Sequence, residues 1–150
     1  MMPRWRVLCD ANVFISYLLQ PAGNGTIQQV VRFCFSDECQ LVLTSELLSE
    51  IRVSTESKPK LMSRIDPRAV ARLIEALNEI GEFVTVKPAE SAPRVRDIKD
   101  TYLLQASRAG DVDVLVTGDL DLRALRDEIS KPLIVNPAEL LVVLQVTYNT

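Results

Sequence analysis

The chain contains no histidine. That absence removes Ser-His-Asp and Cys-His nucleophilic schemes, histidine zinc sites and imidazole acid–base chemistry. Any chemistry must run on carboxylates, hydroxyls, amines, backbone groups or a metal held by oxygen. Cysteine is scarce too: Cys9, Cys34 and Cys39 make an odd count with no C-x-x-C pair, which argues against a disulfide framework or structural zinc. Cys34 and Cys39 are spaced so that they could pair, but Cys9 and Cys34 lie in apolar patterns, where a free thiol is a small hydrophobe. A reduced, cytoplasmic setting is the simpler expectation. Aromatic residues are only 5%, too dispersed to predict a base-stacking surface, and Trp5, Tyr17 and Phe14 are expected to pack or to seal an oligomer contact. No segment approaches the roughly 18 apolar residues that cross a bilayer, so no membrane association is expected. Positive charge is not in excess either, since 17 Lys and Arg face 20 Asp and Glu for a net charge of −3.

What remains is an ordinary globular composition, 47% hydrophobic and 25% charged over 150 residues, which predicts a single domain spanning 1–150. Short apolar runs alternate with helical patterns. Val7-Leu8-Cys9, Leu41-Val42-Leu43, Phe83 to Val86, Val114-Leu115-Val116 and Leu133-Ile134-Val135 read as strands. Ile27, Val30, Val31, Cys34 and Phe35 recur at helical spacing, as do Val70, Leu73, Ile74, Leu77 and Ile80. Thr44 or Ser45 is expected to cap a helix bearing Leu47, Leu48 and Ile51, and Asp66-Pro67 to open the next, which Gly81 ends. Val53 to Arg64 reads as a loop or frayed helix end, and Pro88 to Pro93 as a loop. A helix is predicted from about Ile98 to Ala109, and Asn136-Pro137-Ala138-Glu139 is a capping-box signal for a terminal one. Strands apolar on both faces alternating with helices predict an α/β fold, a parallel sheet covered on each side. In such sheets ligands sit at the carboxyl ends of the strands.

Acidic residues gather at that edge. Asp10 ends the first strand, Asp119 follows the fourth across a Thr-Gly turn, and Asp100 lies in the first turn of the preceding helix. Glu50 borders the buried face of the helix after the second strand. Each has a bland alternative as a cap, a turn former or a solvated carboxylate. Together, four converging carboxylates repel one another, and some would stay protonated. A divalent cation resolves the conflict, because Mg²⁺ takes oxygen ligands, retains waters and acidifies them.

The ordered motifs resemble the PIN-domain family of metal-dependent ribonucleases, especially the VapC-like toxins of bacterial toxin–antitoxin pairs. Val7-Leu8-Cys9-Asp10-Ala11-Asn12 is similar to the family's first motif, a hydrophobic strand ending in D-x-N. Thr44-Ser45-Glu46-Leu47-Leu48-Ser49-Glu50-Ile51 resembles the second, and Arg96-Asp97-Ile98-Lys99-Asp100 the third. Asp113-Val114-Leu115-Val116-Thr117-Gly118-Asp119-Leu120-Asp121 resembles the fourth. Thr101 stands where an Asn often follows the third Asp, and Val112 where a small residue is usual. The resemblance implies a PIN-like, Rossmann-like three-layer α/β/α fold with a central parallel sheet of four to five strands. It implies Asp10, Glu50, Asp100 and Asp119 as the catalytic acids holding Mg²⁺ or Mn²⁺, with Asp97 and Asp121 as outer or second-metal candidates. Asn12 and Thr117 would orient the carboxylates. The implied reaction is hydrolysis of single-stranded RNA, leaving a 5′ phosphate. The implied partners are the RNA, a small antitoxin protein and further copies of the chain, as a dimer or higher oligomer.

Two other classes share these features. A phosphatase of the haloacid-dehalogenase type would use Asp10, Thr44 and Gly118-Asp119, but Asn12 replaces its second Asp and cannot act as the acid on the leaving group. A PIN-fold protein that binds without turnover would keep the same acids. Lysines and arginines near RNA are expected to form a basic stripe; the weak candidates are Lys58, Lys60, Arg64 and Arg68, with Arg94 and Arg96 near the third motif.

Overall fold

The computed structural model describes residues 4–86 and 98–148, the side chains of residues 98–101 and 146–148 excepted. Five strands form one parallel sheet: β1 (Trp5–Cys9), β2 (Cys39–Leu43), β3 (Glu82–Phe83), β4 (Val114–Val116) and β5 (Leu133–Val135), in the order β3-β2-β1-β4-β5. Val7, Leu8, Cys9, Val42, Leu43, Val114, Leu115 and Val116 have no exposed surface. Such unbroken buried runs are what a sheet covered on both faces requires. The register sets Val7 beside Leu41 and Val114, and Cys9 beside Val116.

The helices are α1 (Ala11–Leu19), α2 (Thr26–Cys34), α3 (Ser45–Ser57), α4 (Pro59–Met62), α5 (Pro67–Ile80), α6 (Ile98–Ala109), α7 (Leu120–Arg123) and α8 (Pro137–Tyr148). From β1 the chain steps outward to β2 and β3, then returns past β1 to β4 and β5. Right-handed crossovers place the connections of these two journeys on opposite faces, and the terminal helix α8 comes back to pack against α2 of the first. The first journey's helices pack on one another, α1 against α2 and α3, and α3 against α5. The result is a three-layer α/β/α fold.

Local chemistry explains most boundaries. Thr44, not Ser45, caps α3, its hydroxyl accepting the Leu47 N–H at 3.1 Å. Asp66 caps α5 by accepting the Arg68 N–H at 2.8 Å, with Pro67 at the first helical position. At α8 the capping box is reciprocal: Asn136 accepts the Glu139 N–H at 2.8 Å, and Glu139 accepts the Asn136 N–H at 2.9 Å. Glu139 also pairs with Arg126 at 2.9 Å. The Asn136 N–H first, then Arg126, hold its carboxyl below the usual range. A depressed pKa adds stability at neutral pH that is lost as pH falls through the folded value. Glu139→Gln should therefore lower neutral-pH stability and flatten its loss between about pH 5 and 3, as measured by urea unfolding across that range.

The structure departs from the sequence reading in several places. The segment after Asp10 is a helix, α1, whose spacing is hard to read because Ala11, Val13, Phe14, Ile15 and Leu18 are all buried and Asn12 and Ser16 alone mark the exposed side. Where a loop or frayed end was predicted over Val53 to Arg64, α3 continues to Ser57 and α4 follows. Thr55 is buried there and returns its hydroxyl to Ile51 O at 2.9 Å, so a polar composition is compatible with helix. The third strand pairs over Glu82–Phe83, extended only by Val84 N–H to Leu43 O at 2.9 Å, and not through Val86. Beyond Leu43, β2 has already turned into the cap of α3. Gly81 does end α5, but at φ −78 rather than in a left-handed cap. A Cβ there would lie 2.3 Å from Leu43 Cδ1 and 2.8 Å from Leu77 O, so close approach selects glycine.

The three cysteines are buried free thiols, with Cys9 and Cys34 Sγ atoms 3.7 Å apart. Pairing with Cys34, then burial, push the Cys39 thiol up, which keeps it a neutral hydrophobe. Phe14 is a core side chain at 1% exposure, and Trp5 and Tyr17 pack partly buried against the core. Among the described residues no helix is long and apolar enough to cross a membrane.

Candidate functional site

The direction of the chain reverses at β1, whose neighbours are β2 on the outward journey and β4 on the return. Connections then leave on opposite faces, and a crevice opens beyond the carboxyl ends of these strands. Asp10 is the first residue past β1, its own N–H closing the ladder to Val116 O at 2.9 Å. Its side chain is 3% exposed. It accepts the Asn12 N–H at 3.3 Å and, on the other oxygen, the Thr117 hydroxyl at 3.1 Å. The second contact joins residues 107 positions apart.

Thr117 follows β4 and has no exposed surface. Its hydroxyl oxygen also accepts the Asp119 N–H at 3.0 Å. Asp119, half-buried, caps α7 by accepting the Asp121 N–H at 2.8 Å. A single hydroxyl thus links both acid-bearing segments. It donates toward Asp10, which has to be an acceptor there, and fixes the backbone from which Asp119 projects.

The β2 side of the edge carries the other group. Glu50 lies half-buried in the second turn of α3, four residues after Glu46, so the two share a helix face. Tyr102 of α6 donates its hydroxyl to Glu46 Oε2 at 2.9 Å and is hydrogen-bonded to Thr44 Oγ1. Burial, followed by the hydrogen bond to Glu46 and then the charges of Glu46 and Glu50, pushes the phenol up against the opposing Thr44 contact. The backbone of Glu46 itself, then Tyr102, holds the Glu46 carboxyl down. Tyr102 therefore stays protonated as a donor, and Glu46 stays ionised as its acceptor. The sequence marks Thr44 as a cap or, on the phosphatase reading, a phosphate-site hydroxyl, and gives Tyr102 and Glu46 no role of their own.

Asp100 belongs to the first turn of α6, two residues before Tyr102, with its side chain outside the described residues. Asp97, Arg94 and Arg96 also lie outside them. Asp121 is exposed in the first turn of α7, bonded through its backbone to Asp119. Asn12 is exposed, and its backbone N–H donates to Asp10 Oδ1. Lys58, Lys60, Arg64 and Arg68 are exposed around α4 and the start of α5. Lys58 is eight residues past Glu50, roughly 12 Å along helical rise.

All donors at this edge are oxygens, the kind a hard divalent cation takes. Among the described residues, no three Asp, Glu or Cys side chains gather closely enough to enclose a metal. Mg²⁺ does not need such a cage, because it is commonly bound by one or two carboxylates with waters and substrate phosphate. Asp10 and Asp119 are two carboxylates on adjoining segments of this edge.

Comparison with known proteins bears on this arrangement. A family model described as PIN domain matches residues 6–121, from β1 through the Asp119 turn. The uncharacterized protein MJ1680 of Methanocaldococcus jannaschii is 28% identical over 124 residues, covering 82% of this chain and 76% of its own. The crystal structure of PAE2754 from Pyrobaculum aerophilum superposes with a TM-score of 0.62 at 19% identity, covering 95% of this chain and 90% of that one. That last likeness speaks for the fold alone.

Proposed function

The chain belongs to the PIN-domain family, and on that premise we propose that it is a Mg²⁺- or Mn²⁺-dependent endoribonuclease acting on single-stranded RNA. The observation that carries this reading is the Asp10–Thr117–Asp119 linkage at the switch point of the sheet. Family membership supports a nuclease function in general. The buried, hydroxyl-bound carboxylate next to a capping carboxylate is what particularises it.

Asp10 and Asp119 would hold the cation, with Glu50 and Asp100 proposed beside them. When bound, such an ion supplies Lewis acidity and lowers the pKa of the water that attacks the phosphodiester. Thr117 keeps the Asp10 carboxylate turned toward the edge by donating its hydroxyl to one of the two oxygens. Asn12, through its N–H, restrains the second oxygen. Asp121, and Asp97 by resemblance, are proposed for outer contacts. Attack displaces the 3′ oxygen and leaves the phosphate on the 5′ side of the next nucleotide. Lys58, Lys60 and Arg64 are proposed to meet backbone phosphates several ångströms from the cut, where their charge is set apart from the acids.

The resemblance to VapC-like proteins extends the proposal to a toxin role, with a small antitoxin as partner, a dimer or higher oligomer as the working form, and the cytoplasm as its place. A single assay tests the core of it. The purified chain with labelled single-stranded RNA should cleave only when Mn²⁺ or Mg²⁺ is added, leaving 5′-phosphate ends. Hydrolysis of a phosphate monoester without RNA cleavage would instead favour the phosphatase class, and RNA binding without turnover would favour a non-catalytic one.

A further inference from the structure

Four groups meet where α3 and α6 approach the carboxyl end of β2. Thr44 Oγ1 accepts the Leu47 N–H at 3.1 Å and is hydrogen-bonded to the Tyr102 hydroxyl, which lies 2.9 Å from Glu46 Oε2. A phenol has one proton. With that proton donated toward Glu46, the Thr44 hydroxyl turns its own proton to the phenol oxygen, and the contacts run as one chain of donors. Thr44 is wholly buried and Tyr102 half-buried, so the chain is shielded from solvent on its inner side.

The position of this chain matters more than its strength. Tyr102 follows Asp100 by two residues, about 3 Å of helical rise, and Glu46 precedes Glu50 by one turn on the same face. Each of these helices carries one of the acids assigned to the site, and Tyr102 bonds directly from one helix to the other. We propose that Tyr102 is a positioning residue: its hydroxyl locks the first turns of α6 to the start of α3 and thereby sets the spacing of the helix-borne acids against Asp10 and Asp119. The role rests on the nuclease reading above. Tyr102 touches neither substrate nor cation; it acts through the geometry of the helices.

The test compares the wild-type chain with Tyr102→Phe and Glu46→Gln. Mn²⁺ binding is read by calorimetry, RNA cleavage as kcat and KM, and folding as the melting temperature without metal. Groups that orient metal-binding side chains typically change affinity or activity by about 10- to 100-fold when removed. Tyr102→Phe keeps the ring and loses only the hydroxyl. It should weaken Mn²⁺ binding about 10-fold and lower kcat by at least as much, with KM for RNA within about twofold. Its metal-free melting should stay near wild type. Glu46→Gln retains an amide oxygen to accept the phenol proton, so its Mn²⁺ affinity should stay within about threefold of wild type. Wild-type cleavage with unchanged binding and turnover in Tyr102→Phe overturns this proposal alone. So does a large loss of metal-free melting temperature in Tyr102→Phe, or a loss in Glu46→Gln equal to that of Tyr102→Phe. A wild-type chain that neither binds Mn²⁺ nor cleaves RNA overturns the nuclease reading, and this proposal with it.

Discussion

Asp119→Asn should abolish nearly all metal-dependent RNA cleavage, lowering kcat at least about 100-fold, while the chain melts close to the wild-type temperature. The separation of the two effects follows from what Asp119 does locally. Its Oδ1 caps α7 by accepting the Asp121 N–H at 2.8 Å, and Asn caps a helix about as well as Asp. Its backbone N–H, which donates to Thr117, is untouched by the substitution. Only the negative charge is lost, and that charge is what would hold the cation. Initial rates at saturating Mn²⁺, set beside thermal melts followed by circular dichroism, measure both. Full activity in this variant would remove Asp119 from the site.

The second large effect is expected at a residue that touches no substrate. Thr117→Val preserves the shape of the side chain and deletes one buried hydroxyl. Asp10 loses the hydroxyl donor to one of its oxygens and the Asp119 N–H loses its acceptor, both in a place with no solvent exposure at Thr117. Unsatisfied buried groups of this kind cost about 1–3 kcal/mol, and loss of orientation costs about 10- to 100-fold in metal affinity or turnover. Thr117→Ser should restore most of both. Urea unfolding and cleavage kinetics on the three proteins check the expectation; a destabilised valine variant with undiminished turnover would mean that Asp10 does not depend on the hydroxyl for its role.

How much of this was legible beforehand depended on whether neighbouring residues in sequence carried the signal. The buried strands were, since Val7-Leu8-Cys9 and Val114-Leu115-Val116 are short apolar runs bounded by polar turns. The amphipathic α5 was, because Val70, Leu73, Ile74 and Leu77 leave a polar face. Helix α1 was not: Val13, Phe14 and Ile15 run consecutively with two β-branched residues, and only Asn12 and Ser16 mark its exposed side, too short a stripe to set a helical period. Asp10 and Asp119 were legible as strand-end acids. The bond joining them through Thr117 was not, since no local pattern encodes which strands become neighbours. Tyr102 was hidden for a different reason. A lone aromatic at a helical position reads as core, and its function appears only when Thr44 and Glu46 are brought beside it from 58 and 56 residues away. The same contacts weigh against the phosphatase reading, because the Thr44 hydroxyl is engaged by Leu47 and Tyr102 rather than offered to a phosphate.

The order of the strands also has a consequence for synthesis. Asp10 is made well before its partner Thr117, which lies 107 residues later. The nascent chain can form β1, β2 and the helices packed on them while the return journey is still unmade. Long-range pairings of this kind close late, because loop entropy must be overcome before the contact is rewarded. Until β4 docks beside β1, the first carboxylate has neither its hydroxyl nor its companion acid. A protein able to cut RNA would therefore be built inert on the ribosome, and would acquire its site only once translation had passed the last motif.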